Sequence, residues 1–438
     1  MPFSFHDFVE VLTLQSYNTR LVVAATWCLG IGSGLVGSLL LLRKRSLMGD
    51  VLSHATLPGI AIAFAIVASL GGAGKSLPAL LVGATLSGLA GVAVMLAIRR
   101  TTRLRDDVAM GFVLSVFFGT GVAILRMVQN LPGASGLTDY IYGRTASIVL
   151  SDLLLIALVT TAVIVTVVLL LKEFTLLCFD EAFAASEGWP VLLLDTLVLA
   201  LVTAVTVIGI QAVGLILVIA FLIIPAASAR FWTENMKLML VISAAIGGIS
   251  GHFGALLSDL FADLPSGPVI VLTASSIFLI SMFFGGKRGV LPRYMDHLKL
   301  KRRVGRQHLL RSVYEILEAS DQPVSNRPVT LQSLLQHRSW TMGQLKRKLS
   351  LARREDHLEP TSDPSAVLLS ESGFGEAARI TRNHRLWELY LIHHAEIAPS
   401  HVDRDADMVE HILGPEMVRE LEAELAPDLQ IPASPHLI

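Results

Sequence analysis

Ser46-Leu-Met-Gly-Asp-Val-Leu-Ser-His-Ala-Thr-Leu-Pro-Gly-Ile60 opens an apolar helix, yet it carries Asp50 and His54 one helical turn apart. At that spacing the two side chains share a face. A carboxylate and an imidazole are costly in a membrane helix, and ionisable groups there are functional by default. Oxygen and nitrogen donors suit divalent manganese, iron or zinc, and neither is soft enough to single out copper(I). Two ligands make a weak site, which suits an ion that must also leave. The plainer alternative is that Asp50 caps the helix while His54 hydrogen-bonds a neighbour. Pro58, one turn on, cannot donate to the helix ladder, which predicts a freed carbonyl and a kink.

The surrounding chain fits a membrane setting. Its 438 residues are 53% hydrophobic and 16% charged, with a mean hydropathy of +0.62, too apolar for a soluble protein of this length. The average hides two unlike parts. Of the 35 Lys and Arg, 18 lie beyond Arg293, as do ten of the 13 His. A membrane domain is therefore expected first and a charged, soluble one after it. The net charge of −1 says nothing about partners. Cys28 and Cys178, the only cysteines, support neither a disulfide framework nor a thiolate metal site. The run Leu21 to Leu42 ends in Arg43-Lys44-Arg45 and reads as a retained spanning helix, not a cleaved signal.

Apolar segments recur at about 21–42, 51–70, 77–98, 108–125, 149–171, 191–208, 212–229, 238–257 and 267–285. Each is near the ~20 residues that a spanning helix needs. With nine spans and the N-terminus outside, the inner loops and the juxtamembrane stretch to Arg293 hold 13 Lys and Arg against 4 on the other side. That asymmetry satisfies the positive-inside rule and places the C-terminal part in the cytoplasm. It also puts Asp50 and His54 toward the cytoplasmic end of the second span. The 208–212 turn is the weakest boundary, leaving eight or ten spans as alternatives.

A basic stretch runs from Lys287 to Arg306. It reads as a juxtamembrane linker (291–304) lying on anionic headgroups of the bilayer, in preference to a nucleic-acid patch. Beyond it, helices are expected at about 305–319, 330–338, 341–354, 375–396, 401–413 and 415–425, with Thr330 and Thr341 as N-caps. The 359–372 stretch suits a short two-stranded wing.

Other polar features are weaker. Phe179-Asp-Glu-Ala-Phe-Ala-Ala-Ser-Glu-Gly-Trp-Pro190 predicts a short acidic helix stopped by Gly188 and Pro190, a good docking element or an ordinary connecting loop. Gly71-Gly-Ala-Gly-Lys-Ser76 is not a phosphate loop, because Ser69 stands where the first glycine is needed and no strand precedes it. No nucleotide site and no nucleophile–base set is recognisable, so the chain reads as a transporter subunit and not an enzyme, its energy coming from another subunit or a gradient. Asp195 and His252 could line a path or hydrogen-bond between helices.

Three ordered motifs then carry a family resemblance: Ser46 to Gly59, Val213-Gly-Leu-Ile-Leu-Val-Ile-Ala-Phe-Leu-Ile-Ile-Pro-Ala-Ala-Ser-Ala-Arg230, and Asp263-Leu-Pro-Ser-Gly-Pro-Val-Ile-Val271. Over about residues 10–290 the chain resembles the permeases of manganese, zinc and iron ABC importers, the ABC-3 family. The resemblance implies a dimeric permease, with a second copy or a paralogue, in a bacterial inner membrane. It also implies a cytoplasmic ATPase pair and an extracytoplasmic metal-binding protein. Asp50 and His54 would lie on the metal path. The segment Glu181, Ala184, Ala185 and Gly188 would form the coupling helix that fits the ATPase groove.

A second constellation lies near the C-terminus: Thr381-Arg-Asn-His-Arg-Leu-Trp-Glu-Leu-Tyr390, then His401-Val-Asp-Arg-Asp-Ala-Asp-Met-Val-Glu-His-Ile-Leu413. His384 and Glu388 are one turn apart, and Asp403, Asp407, Glu410 and His411 follow on the next helix. Such a cluster can surround a divalent ion, or it can be a solvated charged face with i, i+4 pairs. This segment resembles the metal-binding and dimerisation domain of iron- and manganese-dependent repressors. The likeness reaches back to His308-Leu-Leu-Arg-Ser-Val-Tyr-Glu315, which looks like the first helix of their winged helix-turn-helix. It implies a primary metal site of His308, Asp407, Glu410 and His411, and an ancillary one of His384, Glu388 and Asp403. His308 and Asp403 depart from the residues usual there, and the C-terminal tail of the family is only echoed in Asp428 to His436. The helix from Thr341 would be the recognition helix, offering Gln344, Lys346, Arg347, Lys348, Arg353 and Arg354 to operator DNA. Winged helices also serve as protein-docking modules.

The expected architecture is thus an all-α polytopic permease (1–290), a linker (291–304), a winged-helix-like part (305–372) and a repressor-like metal-binding part (373–438). The expected function is import of divalent Mn²⁺, Fe²⁺ or Zn²⁺ with no nucleotide bound directly. The fused domain would sense metal and regulate transport or uptake-gene transcription. The alternative is a membrane-anchored repressor whose spans only tether it.

Overall fold

The computed structural model describes residues 13–70, 76–129, 145, 148–261, 264–319, 325–394 and 419–420. The chain divides into two compact units, 1–293 and 294–438.

The first unit is helical throughout its described residues: α1 Tyr17–Leu42, α2 Met48–Ala55, α3 Leu57–Ser69, α4 Leu77–Thr101, α5 Asp106–Val128, α6 Leu150–Leu169, α7 Leu171–Phe179, α8 Glu181–Ser186, α9 Val191–Val213, α10 Leu215–Trp232, α11 Met236–Leu260 and α12 Ser266–Phe284. Counting α2 and α3 together, nine helices among the described residues are long and apolar enough to cross a membrane. The doubtful boundary between the sixth and seventh spans, expected at 208–212, falls at Gly214, where φ is +88°, a left-handed value that glycine adopts without penalty.

α1 is the hub of the bundle, packed on α6, α9, α10 and α11. It meets α11 along small residues. A Cβ on Gly30 would run into the Gly247 carbonyl, one on Gly34 would lie 2.5 Å from Ser243 O, and one on Gly251 would lie 2.6 Å from Thr26 O. Close backbone approach through small residues is the usual way apolar helices associate in lipid, where burying further hydrocarbon gains little. α4, α5, α6 and α12 instead leave most of their apolar surface outward, with Leu86, Phe112, Leu158 and Leu272 all exposed. Cys28 is half-buried in α1, and Cys178 is half-buried near the end of α7, where burial pushes its thiol up to about 11.

The helix α13, Val290–Glu318, carries most of the basic stretch, from Arg293 to Arg306. In the second unit its last turns supply Leu309, Leu310, Val313, Tyr314 and Leu317 to a separate core. There follow β1 Val329–Thr330, α14 Leu331–His337, α15 Met342–Arg354, β2 Leu358–Glu359, β3 Ala366–Leu369 and α16 Glu371–His394. The strands form one small sheet in the order β1-β3-β2, with β3 antiparallel to both neighbours. Thr330 accepts from Ser333 N–H at 3.2 Å, and Thr341 forms a capping box with Gln344. Both expected N-caps are therefore in place. The helices expected at 401–413 and 415–425 lie outside the described residues, apart from 419–420.

Candidate functional site

Asp50 lies in the first turn of α2 and His54 in its last. The helix is short because it breaks at Thr56, just before Pro58, and α3 resumes the same span. Three contacts fix it. A Cβ on Gly49 would lie 2.6 Å from Leu222 Cδ1 of α10, so the α2 backbone sits against that helix. Ser53 donates to Gly49 O at 2.7 Å, and Ser87 of α4 donates to Ala55 O at 2.6 Å beside the break.

His54 Nε2 is 3.4 Å from Asp50 Oδ1. The His54 ring meets Phe118 of α5 edge to face at 4.9 Å between centroids. Its Nδ1 is buried and makes no hydrogen bond to a described residue. A donor separation of this size subtends about 110°, near the tetrahedral angle, at an ion ~2.1 Å from each atom. The pair can therefore chelate a divalent ion without rearranging. Among the described residues no group of three or more His, Cys, Asp or Glu converges as a metal would need. The pair remains a two-donor site.

Asp195 is not a lone polar residue. Its side chain is 4% exposed and receives three guanidinium groups, from Arg43, Arg45 and Arg99. Asp106 and Glu181 complete this cluster. Arg45 is held firmly protonated: burial works against its charge, but Asp195 and Asp106 more than reverse that and raise its pKa. Arg43 to Arg45 was legible in the sequence only as the basic end of a span. The missed signal was an acidic residue inside an apolar segment with arginines at the ends of two others.

The segment expected to be a coupling helix forms as α8, begun by Asp180, which accepts from Phe183 N–H at 2.8 Å. Within it Glu181 is ion-paired, Ala184 is buried and Ala185 is exposed. Gly188, with φ +81°, lies just past its end.

In the second unit His384 and Glu388 are buried and 3.1 Å apart on α16. His384 Nδ1 is 2.6 Å from Arg311 Nη1, and Arg311 in turn holds Glu315 at 3.0 Å. His337 reaches the other oxygen of Glu315 at 2.9 Å. His308 lies one turn before Arg311 on α13 and is partly buried. A fully buried arginine thus stands beside the two expected ancillary ligands, a neighbour that spacing alone did not disclose. Burial alone would raise the Glu315 carboxyl, but the His337 hydrogen bond and the charges of Arg311, His337 and His384 hold it below the usual range. Asp403, Asp407, Glu410 and His411 lie outside the described residues. Of the expected DNA contacts, Lys346, Arg347, Arg353 and Arg354 are exposed. Gln344 turns back to cap Thr341 N at 3.0 Å. Lys348 donates to Gly305 O at 3.3 Å and lies over the Trp340 ring.

Comparison with known proteins places these features. Residues 370–428 match the family model "iron dependent repressor, metal binding and dimerisation domain". The chain is 37% identical over 396 residues to a manganese transport system membrane protein of Bacillus subtilis, MntC, covering 90% of this chain and 88% of that one. It is 44% identical over 279 residues to the zinc transport system membrane protein TroC of Treponema pallidum, covering 63% and 92%. Among solved structures it resembles PsaBC from Streptococcus pneumoniae in complex with Fab, with a TM-score of 0.57 and 30% identity over 68% of this chain and all of that one. Residues 15–285 match the model of the ABC 3 transport family across all nine candidate spans, and the chain belongs to that family.

Proposed function

We propose that this chain is the permease of an ATP-driven importer for divalent manganese, iron or zinc, with Asp50 and His54 as ligands on the metal path. The observation that carries the reading is the 3.4 Å pair on an interrupted apolar helix, with a second, unbonded imidazole nitrogen. Its family membership and the manganese and zinc transport names of its relatives support the same reading. Oxygen and nitrogen donors without a cysteine lean toward manganese or iron. In this reading ATP is hydrolysed by a separate subunit, which docks on α8. An extracytoplasmic binding protein delivers the ion, and a second permease copy or paralogue completes the pore.

The second unit then lies in the cytoplasm as a metal sensor, as its match to a repressor metal-binding domain suggests. The element order helix, strand, two helices and a paired strand supports a winged helix-turn-helix over 305–372. Metal acts there by favouring one arrangement of the unit over another, damping uptake or repressing uptake genes through operator DNA.

The test is uptake of radiolabelled Mn²⁺, Fe²⁺ and Zn²⁺ by cells whose only importer is this permease with its ATPase and binding protein. Asp50→Ala and His54→Ala should each lower accumulation at least tenfold while the protein still reaches the membrane. Unchanged accumulation would overturn the transport reading and leave the spans as a tether. A mobility shift on the promoter of its own operon, with and without each metal, separates DNA binding from direct gating.

A further inference from the structure

The arginine–carboxylate cluster has the connectivity of a transmission. Asp195, near the start of α9, takes Arg43 at 3.0 Å, Arg45 at 2.9 Å and Arg99 at 3.2 Å. Glu181, the first residue of α8, pairs with Arg43 at 3.0 Å and with Arg99 at 3.1 Å. Asp106, the first residue of α5, pairs with Arg45 at 2.8 Å and with Arg99 at 3.5 Å. The three cations and three anions balance, so none of the buried arginines is left uncompensated.

Two features make this cluster more than a clamp. First, α8 has little apolar hold on the bundle. Ala184 is its one buried residue, and Phe179, Phe183 and Trp189 around it are exposed. Its attachment rests on Glu181, which at 40% exposure is the most accessible of the six members. Second, Arg45 sits where α2 begins. Its carbonyl accepts from Met48 N–H at 2.9 Å, after a turn in which Lys44 has φ +58°. Withdrawing Glu181 leaves Arg43, Arg45 and Arg99 sharing two carboxylates, Asp195 and Asp106, and only Asp195 is within reach of Arg43. At the cluster's buried centre, Asp195 with Arg43 and Arg45, charges re-pair in discrete steps.

We propose that these six residues link movement of α8 to α2, and so link ATP hydrolysis to the Asp50–His54 pair, with Asp195 as the hub. The proposal rests on α8 being the ATPase-docking helix. Asp195, Glu181 and Asp106 are positioning residues, since none touches the ion.

The experiment uses the whole importer in liposomes and measures ions moved per ATP hydrolysed, with Mn²⁺, Zn²⁺ or Fe²⁺ according to what the wild type carries. Glu181→Gln should lower the ratio at least fivefold, and Glu181→Asp should return it to within twofold. Asp106→Asn, which does not touch α8, should lower the ratio as well while the ATPase stays bound and hydrolysing. The double variant should be no worse than the poorer single one, because Glu181 and Asp106 share Arg99 and act through the same hub. An unchanged ratio in Glu181→Gln, or losses that multiply in the double variant, would overturn the proposal. So would loss of the ATPase from Glu181→Gln, which would make the residue a docking contact. If Glu181→Gln does not accumulate, Asp106→Asn decides alone, and an unchanged ratio there is negative. A wild type that transports none of the three ions ends the importer reading, and this proposal with it.

Discussion

Glu315 shows how burial and pairing set the chemistry of single residues in the second unit. Its carboxyl is held below the usual range, so the stability it contributes is present above that range and lost as pH falls through its folded value. Tryptophan fluorescence during urea unfolding should show the second unit weakening between about pH 5 and 3, and Glu315→Gln should flatten that limb. Arg311 lies at the centre of the same chain of contacts. Replacing it with Met removes one partner from buried ionised groups, which costs ~3–5 kcal/mol. Limited proteolysis of the full chain should then cut the second unit at much lower protease concentrations, leaving the first unit unchanged. Little of this was visible in sequence. His384 and Glu388 stood out by spacing, but Arg311 and His337 come from two other helices, and a one-dimensional pattern carries no such pairing.

At the scale of elements the sequence was far more informative. Spans declare themselves by length and hydropathy, and the boundary between the sixth and seventh needed only one glycine able to take a positive φ. Thr341 announced the start of α15 because a hydroxyl followed three residues later by Gln is a capping signal. The packing of spans was less legible. Gly30, Gly34, Gly247 and Gly251 are ordinary members of apolar runs until α1 and α11 are seen to cross on them. Gly30→Leu should therefore cost ~3 kcal/mol, the upper end for overpacking, since backbone atoms of Gly247 cannot step aside. A lower melting temperature in detergent would register it, whereas Gly111→Leu, with open space around it, should melt like the wild type.

For the whole molecule, the first unit builds its apolar core from its own spans and the second from its own helices and sheet. A chain ending after Val304 should still accumulate metal, but its uptake should continue at external concentrations that shut down the full-length protein. Equal shut-down in both forms would remove the proposed throttling role. Composition alone divided the chain near Arg293, because charge and histidine both concentrate beyond it, and the compact units divide there too.

The state of the two cysteines has a practical consequence for following such motions. With its thiol near 11, Cys178 holds only ~10⁻⁴ of its population as the nucleophilic thiolate at neutral pH. Cys28 lies within an apolar span, away from charged reagents. To a water-soluble maleimide the natural chain is thus nearly blank. A single Ser186→Cys change on the exposed end of α8 would give a reporter that reacts well ahead of both native thiols, without any prior removal of cysteines.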